Sequence, residues 1–373
     1  LYIMSSISSV SKRVLLIGYH YPPEGGVGAV RIAKFAKYLP EEWTIHIISS
    51  QSNHNTRVSG ISEESNATIH RIKRPFDKFK KDFDNIRWSA PVSQKVYHLH
   101  KKFEFDCIWQ TAGPFAPLIT IPVSNLTINT CYILDLRDPW TLHPTELNQT
   151  NLGKLYEIFS NVFEPIVIKN AHAITTATNR LTDDYRDAYP EMSDKFYTIR
   201  NGYDPDDFPI SSMPENDEFT IVYAGKFTPR MNIKPFLNSL INFDEDLDLK
   251  FIHVGEPDLE IHDAFDQFGL KNLYENTGYL DRKDVAKHVN KADLGLALTR
   301  NSPQEIPTKV YDYIACRTPI LGCGPKGSMA DVITGFDNGY VVQNDSIQIQ
   351  ATLSKIIKSR PDSLGEGPYD EYA

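Results

Sequence analysis

The chain has 373 residues, of which 41% are hydrophobic and 23% charged, and carries a net charge of −9. This length exceeds the roughly 250 to 300 residues at which a single core stops growing, so two domains are expected. The acidic balance argues against nucleic acid as the main partner, and no apolar run approaches the roughly 20 residues of a membrane-spanning helix. The first residues lack the apolar stretch of a secretory signal, and Cys107, Cys131, Cys316 and Cys323 have no CxxC spacing, so buried thiols in a cytoplasmic protein are expected rather than a zinc site or disulfides.

The predicted elements begin with Val14–Gly18, an apolar run with the length of a buried strand, followed by the turn Tyr21-Pro22-Pro23-Glu24-Gly25-Gly26-Val27-Gly28 and by apolar residues at helical spacing from Ala29 to Leu39. Gly25 and Gly26 sit where a strand hands over to a helix. Glycine there permits close approach of backbone N–H groups to an oxyanion, and the helix N-terminus favours negative charge. The turn matches neither GxGxxG nor a Walker sequence, and an ordinary tight turn accounts for the same residues.

Further strands are expected at Trp43–Ser49, Ile69–Ile72, Asp106–Gln110, Cys131–Leu136, His172–Thr176 and Phe196–Ile199, with helices at Val92–Lys102 and Leu155–Asn170. Alternation of this kind implies a parallel sheet. The proline- and acid-rich piece from Asp204 to Glu218 breaks the pattern, so residues 206–218 read as a linker between a first domain, 1–205, and a second, 219–373. The second half restarts with Phe219–Ala224, Leu249–Val254, Leu273–Asn276, Leu294–Leu298, Pro319–Leu321 and Tyr340–Val342, and ends with a helix reaching about Ser359. The expected class is α/β, with two Rossmann-like, doubly wound domains facing across a cleft.

One segment opposes the overall charge. Between His70 and Phe103 lie ten lysines and arginines against Asp77, Asp82 and Asp84, with Phe76, Phe79, Phe83, Ile86 and Trp88 interleaved. Such a basic, aromatic surface suits anionic lipid headgroups, with Lys78, Lys80 and Lys81 at its centre; a solvated helix face is the plainer reading. His172, His253 and His262 lack metal-ligand spacing and read as structural.

Six segments in order, PPEGGVGAVR, ILDLRDPW, TIRNGYDPDDF, VYAGKF, TGYLDRKDVAKHVNKADLGLAL and EIPTKVYDYIACRTPILG, together resemble a retaining glycosyltransferase of the GT-B fold, family 4, over about residues 13 to 345. The resemblance implies transfer of a sugar, with retention, from a UDP- or GDP-linked donor to a saccharide or lipid-linked acceptor in cell-surface polysaccharide synthesis. No cofactor or metal beyond the nucleotide sugar is implied. The location would be cytoplasmic, with peripheral contact on the inner face of an anionic membrane. A nucleotide-sugar 2-epimerase of the same fold, or a binding scaffold without activity, are the alternatives. Family members commonly end in a helix returning to the first domain, so the terminal YDEYA reads as its start, in a natural chain that would extend beyond Ala373.

The resemblance also assigns residues. Asp312 aligns with the carboxylate that holds the ribose hydroxyls, two acceptor oxygens matching two vicinal donors. The second glutamate of the family's E-x7-E pattern is replaced by Gln304, with Glu305 beside it. Thr308 and Lys309, in a PTKVYDY segment that resembles the P-S-K-x-x-E-Y variant of cell-surface polysaccharide transferases, would present backbone N–H groups and a cation to the diphosphate. Gly225 and Lys226 stand where the family has glycine and a cation, with Arg230 or Lys234 as the second cation, both charges aimed at the leaving group. In the first domain Arg137 takes the place of the family's histidine, with Asp138 beside it; a structural ion pair is the competing reading. Tyr311, Tyr313 and Ile314 read as helix packing.

Overall fold

The computed structural model describes residues 11–24, 26–51, 66–74, 82–142, 151–208, 218–227, 231–241, 243, 248–299 and 302–373. Contacts divide the chain into two compact units, Leu1–Ile199 and Arg200–Ala373. The described start of the expected linker belongs to the second: Phe208 is buried in that unit's core.

The first unit contains β1 (Arg13–Gly18), α1 (Val27–Tyr38), β2 (Thr44–Gln51), β3 (Thr68–Lys73), α2 (Ser89–Phe103), β4 (Cys107–Thr111), α3 (Thr120–Asn125), β5 (Cys131–Leu136), α4 (Asn151–Asn170), β6 (Ala173–Thr176), α5 (Asn179–Ala188) and β7 (Phe196–Thr198). Its seven strands are all parallel, in the order β3-β2-β1-β4-β5-β6-β7. Strand order reverses between β1 and β4, so the glycine turn after β1 lies at the topological switch point, where open α/β sheets bind ligands. β1 is buried from Val14 to Gly18, which explains why the sequence shows a continuous apolar run rather than alternation.

The second unit repeats the scheme with β8 (Phe219–Ala224), α6 (Lys234–Leu240), β9 (Leu249–Val254), α7 (Leu259–Gln267), β10 (Tyr274–Gly278), α8 (Arg282–Asn290), β11 (Leu294–Leu298), α9 (Lys309–Ala315), β12 (Ile320–Cys323), α10 (Ser328–Ile333), β13 (Gly339–Val342) and α11 (Ser346–Ser359). Its six parallel strands run β10-β9-β8-β11-β12-β13, with the reversal between β8 and β11. Every residue of β8 and of β11 is buried. Both doubly wound sheets expected from the sequence are therefore present.

Side-chain caps fix several helix starts. Asp281 accepts from the Asp284 amide at 2.9 Å, which makes Arg282 the first residue of α8, and Asp258 and Asp345 cap α7 and α11 in the same way. Each such cap is worth about 1 kcal/mol. The terminal YDEYA forms a single 3-10 turn, Tyr369–Glu371, and the Tyr372 carbonyl accepts from the Tyr203 amide at 2.8 Å, so this segment closes onto the start of its own unit.

Two expectations change. Cys107 and Cys131 are partly exposed, because both lie at the first residues of their strands, while Cys316 and Cys323 are buried as expected. Trp88, assigned by its neighbours to a basic surface, is buried in the first core and stacks edge-on against Tyr19. Lys78, Lys80 and Lys81 lie outside the described residues.

Candidate active site

The first unit's strand ends are organised by a buried ion pair. Arg31, on the inner face of α1, gives Nε and Nη2 to the two oxygens of Asp135 at 2.9 and 2.8 Å, and Nη2 also reaches the Ile199 carbonyl at 2.8 Å. Thr111 and Thr175, from the flanking strands, each donate to Asp135 at 2.8 Å. Burial alone would raise the Asp135 pKa; Arg31 and the threonine hydroxyls outweigh it and hold the group below its ordinary value. Two residues further on, Arg137 pairs with Asp138 at 3.3 Å and leaves that carboxylate largely exposed.

Glycines make room for Arg137. A side chain on Gly28, in the first turn of α1, would place its Cβ 2.9 Å from Nη1, and one on Gly113 would come within 2.6 Å of Nη2. Gly26 caps α1 at φ +112 and accepts from the Ala29 and Val30 amides, and the position a Cβ would occupy is empty to 4 Å. Its glycine is therefore required by backbone geometry. Gly25 lies outside the described residues.

Part of the basic segment turns inward onto this loop. Arg74 clasps both oxygens of the buried Glu24 at 2.6 and 2.7 Å and donates to Ser50 at 2.9 Å, while Arg71 donates to Ser49 Oγ at 2.9 Å and to the Pro22 carbonyl. Burial works to raise the Glu24 pKa, but His20 and Arg74 together lower it. Arg71 and Arg74 thus brace the glycine turn from the end of β3. Neither belongs to a solvated face.

In the second unit, β8 ends at Gly225 with φ +104. Its N–H bonds the Val254 carbonyl at 2.7 Å and its carbonyl accepts from His253 Nε2 at 2.9 Å. A carbonyl can only accept, so Nε2 carries the proton and Nδ1 accepts from Tyr274 and Asn276 at 2.9 and 3.0 Å. Burial lowers the His253 pKa further, keeping the ring neutral. His253 thus shapes the Gly225 turn, consistent with the structural role expected for it.

Directly beside Gly225 lies Lys309, the first residue of α9. A Cβ at 225 would sit 3.9 Å from Lys309 Cε, and the Lys309 ammonium lies 3.9 Å from the centroid of the Tyr223 ring. Lys309 is buried, and burial pulls its pKa down to about 7, against the opposing charges of Asp312 and Glu305. Tyr313 sets the position of α9: its hydroxyl accepts from the Ala224 amide at 3.1 Å and donates toward the Leu296 carbonyl at 3.0 Å. Its ring leaves room only for glycine at 295. Tyr311, Tyr313 and Ile314 are all buried, so the packing role read from the sequence holds.

One turn along α9, Asp312 Oδ1 accepts from Arg282 Nη2 at 3.1 Å, and Arg282 Nε meets Asp207 at 3.2 Å. Burial raises the Asp312 pKa, with Arg282 acting against it. Lys226 and Thr308 are exposed and Glu305 is half-buried; Gln304 accepts from Ser302 at 3.3 Å. Lys234 begins α6 and lines a hollow with Asn238, Phe268 and Asp345. Arg230 lies outside the described residues. Gly225, Lys309 and Asp312 are thus brought to one end of the second sheet. The Asp207–Arg282–Asp312 chain was missed in the sequence, although an arginine directly after a helix-capping aspartate could have flagged it.

The family model described as glycosyl transferases group 1 matches residues 206–366, nearly all of the second unit. A curated relative, a probable sucrose-phosphate synthase of Thermosipho melanesiensis, is 21% identical over 226 residues, 55% of this chain and 51% of that protein. The chain spans about half the length of that relative. The solved sucrose-phosphate synthase of Thermosynechococcus elongatus superposes with a TM-score of 0.76 at 14% identity, over 97% of this chain and 94% of the other. HepE of Anabaena, solved in complex with UDP-glucose, gives a TM-score of 0.67 at 14% identity over 96% and 94%. The second unit thus matches the model of the glycosyl transferases group 1 family, and the chain carries the two parallel α/β domains of the GT-B fold.

Proposed function

We propose that the protein transfers a sugar, with retention of anomeric configuration, from a nucleotide-sugar donor to a saccharide or lipid-linked acceptor in cell-surface polysaccharide assembly. The observation that carries this reading is the juxtaposition of Gly225, Lys309 and Asp312 at the switch point of the second sheet. In it, Asp312 accepts the ribose hydroxyls while Arg282 orients its carboxylate. Lys309, Lys226 and the backbone at Thr308 meet the diphosphate, where negative charge develops as the bond from the anomeric carbon to phosphate breaks. The acceptor oxygen bonds that carbon from the same face, and its proton passes to the departing phosphate oxygen. Support for a nucleotide-sugar donor comes from the UDP-glucose bound to the structurally similar HepE, and the PTKVYDY segment supports the polysaccharide setting. Arg137 and Asp138, held at the strand ends of the first unit, are the candidate catalytic contacts, where the family's histidine touches the donor sugar.

Incubating the full chain with a set of radiolabelled UDP- and GDP-sugars tests the reading. Hydrolysis or transfer of the label supports it. Epimerised donor would indicate the 2-epimerase, and tight binding without turnover a scaffold.

A further inference from the structure

Strands β4 and β5 begin with facing cysteines. Cys107 and Cys131 are direct partners in the parallel ladder, and register partners point to the same face of a sheet. Neighbouring strands lie about 4.8 Å apart, inside the span of about 4.4 to 6.8 Å between Cα atoms that a disulfide bridges. Each cysteine is the first residue of its strand, where the ladder between the two ends, so the slight approach of the Cβ atoms that a bond requires meets little resistance. Both thiols are free and partly exposed, whereas Cys316 and Cys323 are buried.

The two thiols also share a hydrogen bond. Cys107 donates to the Cys131 sulfur, which lowers the Cys131 pKa against the opposing effect of burial and raises that of Cys107, where burial and the charge of Asp106 add to the rise. Lys12 partly offsets that charge, pairing with Asp106 at 3.6 Å. Cys131 is therefore the readier thiolate, and Cys107 the thiol held against it. An attacking and a resolving cysteine need this arrangement. Cys316 and Cys323 provide the contrast, since burial pushes each up to about 12.

We propose that Cys107 and Cys131 are a peroxide-sensitive thiol pair that closes reversibly into a disulfide between β4 and β5. The Cys131 thiolate attacks one oxygen of hydrogen peroxide, the O–O bond breaks and hydroxide leaves, so the sulfur is oxidised by two electrons to a sulfenic acid while the peroxide is reduced. The Cys107 sulfur then attacks the Cys131 sulfur; its proton and the sulfenic hydroxyl depart as water. The bond forms at the starts of β4 and β5, the opposite ends from those that lead to Gly113 and Arg137, and it covalently ties the two strands that position those residues. The inference stands without the transferase reading, since thiol oxidation requires no sugar.

Mass spectrometry of the full chain after graded hydrogen peroxide, alkylation of the remaining thiols and digestion tests it. The parent should yield the peptides of Cys107 and Cys131 joined with loss of two hydrogens, dithiothreitol should return both thiols, and Cys316 and Cys323 should stay unmodified. Cys107→Ser removes the resolving thiol, so Cys131 should accumulate as a sulfenic acid that dimedone captures. Cys131→Ser leaves only the more basic thiol, and oxidation at Cys107 should slow about tenfold or more. Thermal unfolding of the reduced variants checks that they fold, and the bridged peptide of the parent decides the matter if either does not. Oxidation of Cys107 or Cys131 to sulfinic acid with no bridge, disulfides between separate chains, or oxidation of Cys316 and Cys323 at the same rate overturns the proposal.

Discussion

The ammonium of Lys309 sits 3.9 Å from the centroid of the buried Tyr223 ring, beside a glycine whose missing side chain leaves the approach open. A cation there is poorly hydrated, and burial brings its pKa down to about 7. A bound diphosphate would restore the charge, so donor binding should take up a proton wherever Lys309 is neutral beforehand.

The sign follows directly. Below pH 7 the ammonium is already present and donor affinity should be flat; above it, affinity should fall by up to about tenfold per pH unit. Lys309→Arg keeps its charge throughout and should remove the slope. Calorimetric titration from about pH 6 to about pH 9, in buffers of different ionisation enthalpy, reads both the affinity and the proton uptake.

The Arg31–Asp135 pair makes a stability prediction. Asp135→Asn leaves Arg31 buried without its counter-charge and should cost about 3 to 5 kcal/mol in denaturant unfolding. Because the pair holds the Asp135 pKa below the ordinary carboxylate value of about 3.9, its contribution is complete above that pH and is lost as pH falls through the folded-state pKa. Arg31→Met combined with Asp135→Asn should cost less than the sum of the two single changes.

Gly28 separates stability from chemistry. It lies within α1 with no positive φ, so Gly28→Ala should gain helix propensity of up to about 1 kcal/mol; the new Cβ, however, lands 2.9 Å from Arg137 Nη1 and must push the guanidinium aside. A variant as stable as the parent but slower in transfer is expected. Full activity would show that Arg137 contributes nothing at that position. Gly113→Ala also meets Arg137 but at φ +97, and should lose about 1 to 3 kcal/mol as well.

How much of this was legible in the sequence differs from element to element. Both sheets could be read, because strands buried on both faces, such as β8 and β11, show as unbroken apolar runs between turn residues. Lys309 and Asp312 could be placed through the order of six motifs. The brace on the glycine turn could not: Arg74 and Glu24 lie far apart in the chain, and nothing local marks which cation of a basic run turns inward. Trp88 was misplaced for the same reason, since its neighbours' charge says nothing about burial. Arg31 and Asp135 left a faint signal, opposite charges within otherwise apolar elements, that only the β1–β4–β5 order joins.

The most direct test of the central claim is calorimetric titration of UDP- and GDP-sugars into the full chain and its Asp312→Asn variant. The account predicts saturable binding of at least one nucleotide sugar to the parent, weakened in the variant by about 1.5 to 3 kcal/mol, as for hydrogen bonds to a charged group, with thermal unfolding unchanged. Equal affinity in parent and variant would contradict the placement of the ribose on Asp312, and failure of every nucleotide sugar to bind the parent would contradict the transferase reading itself.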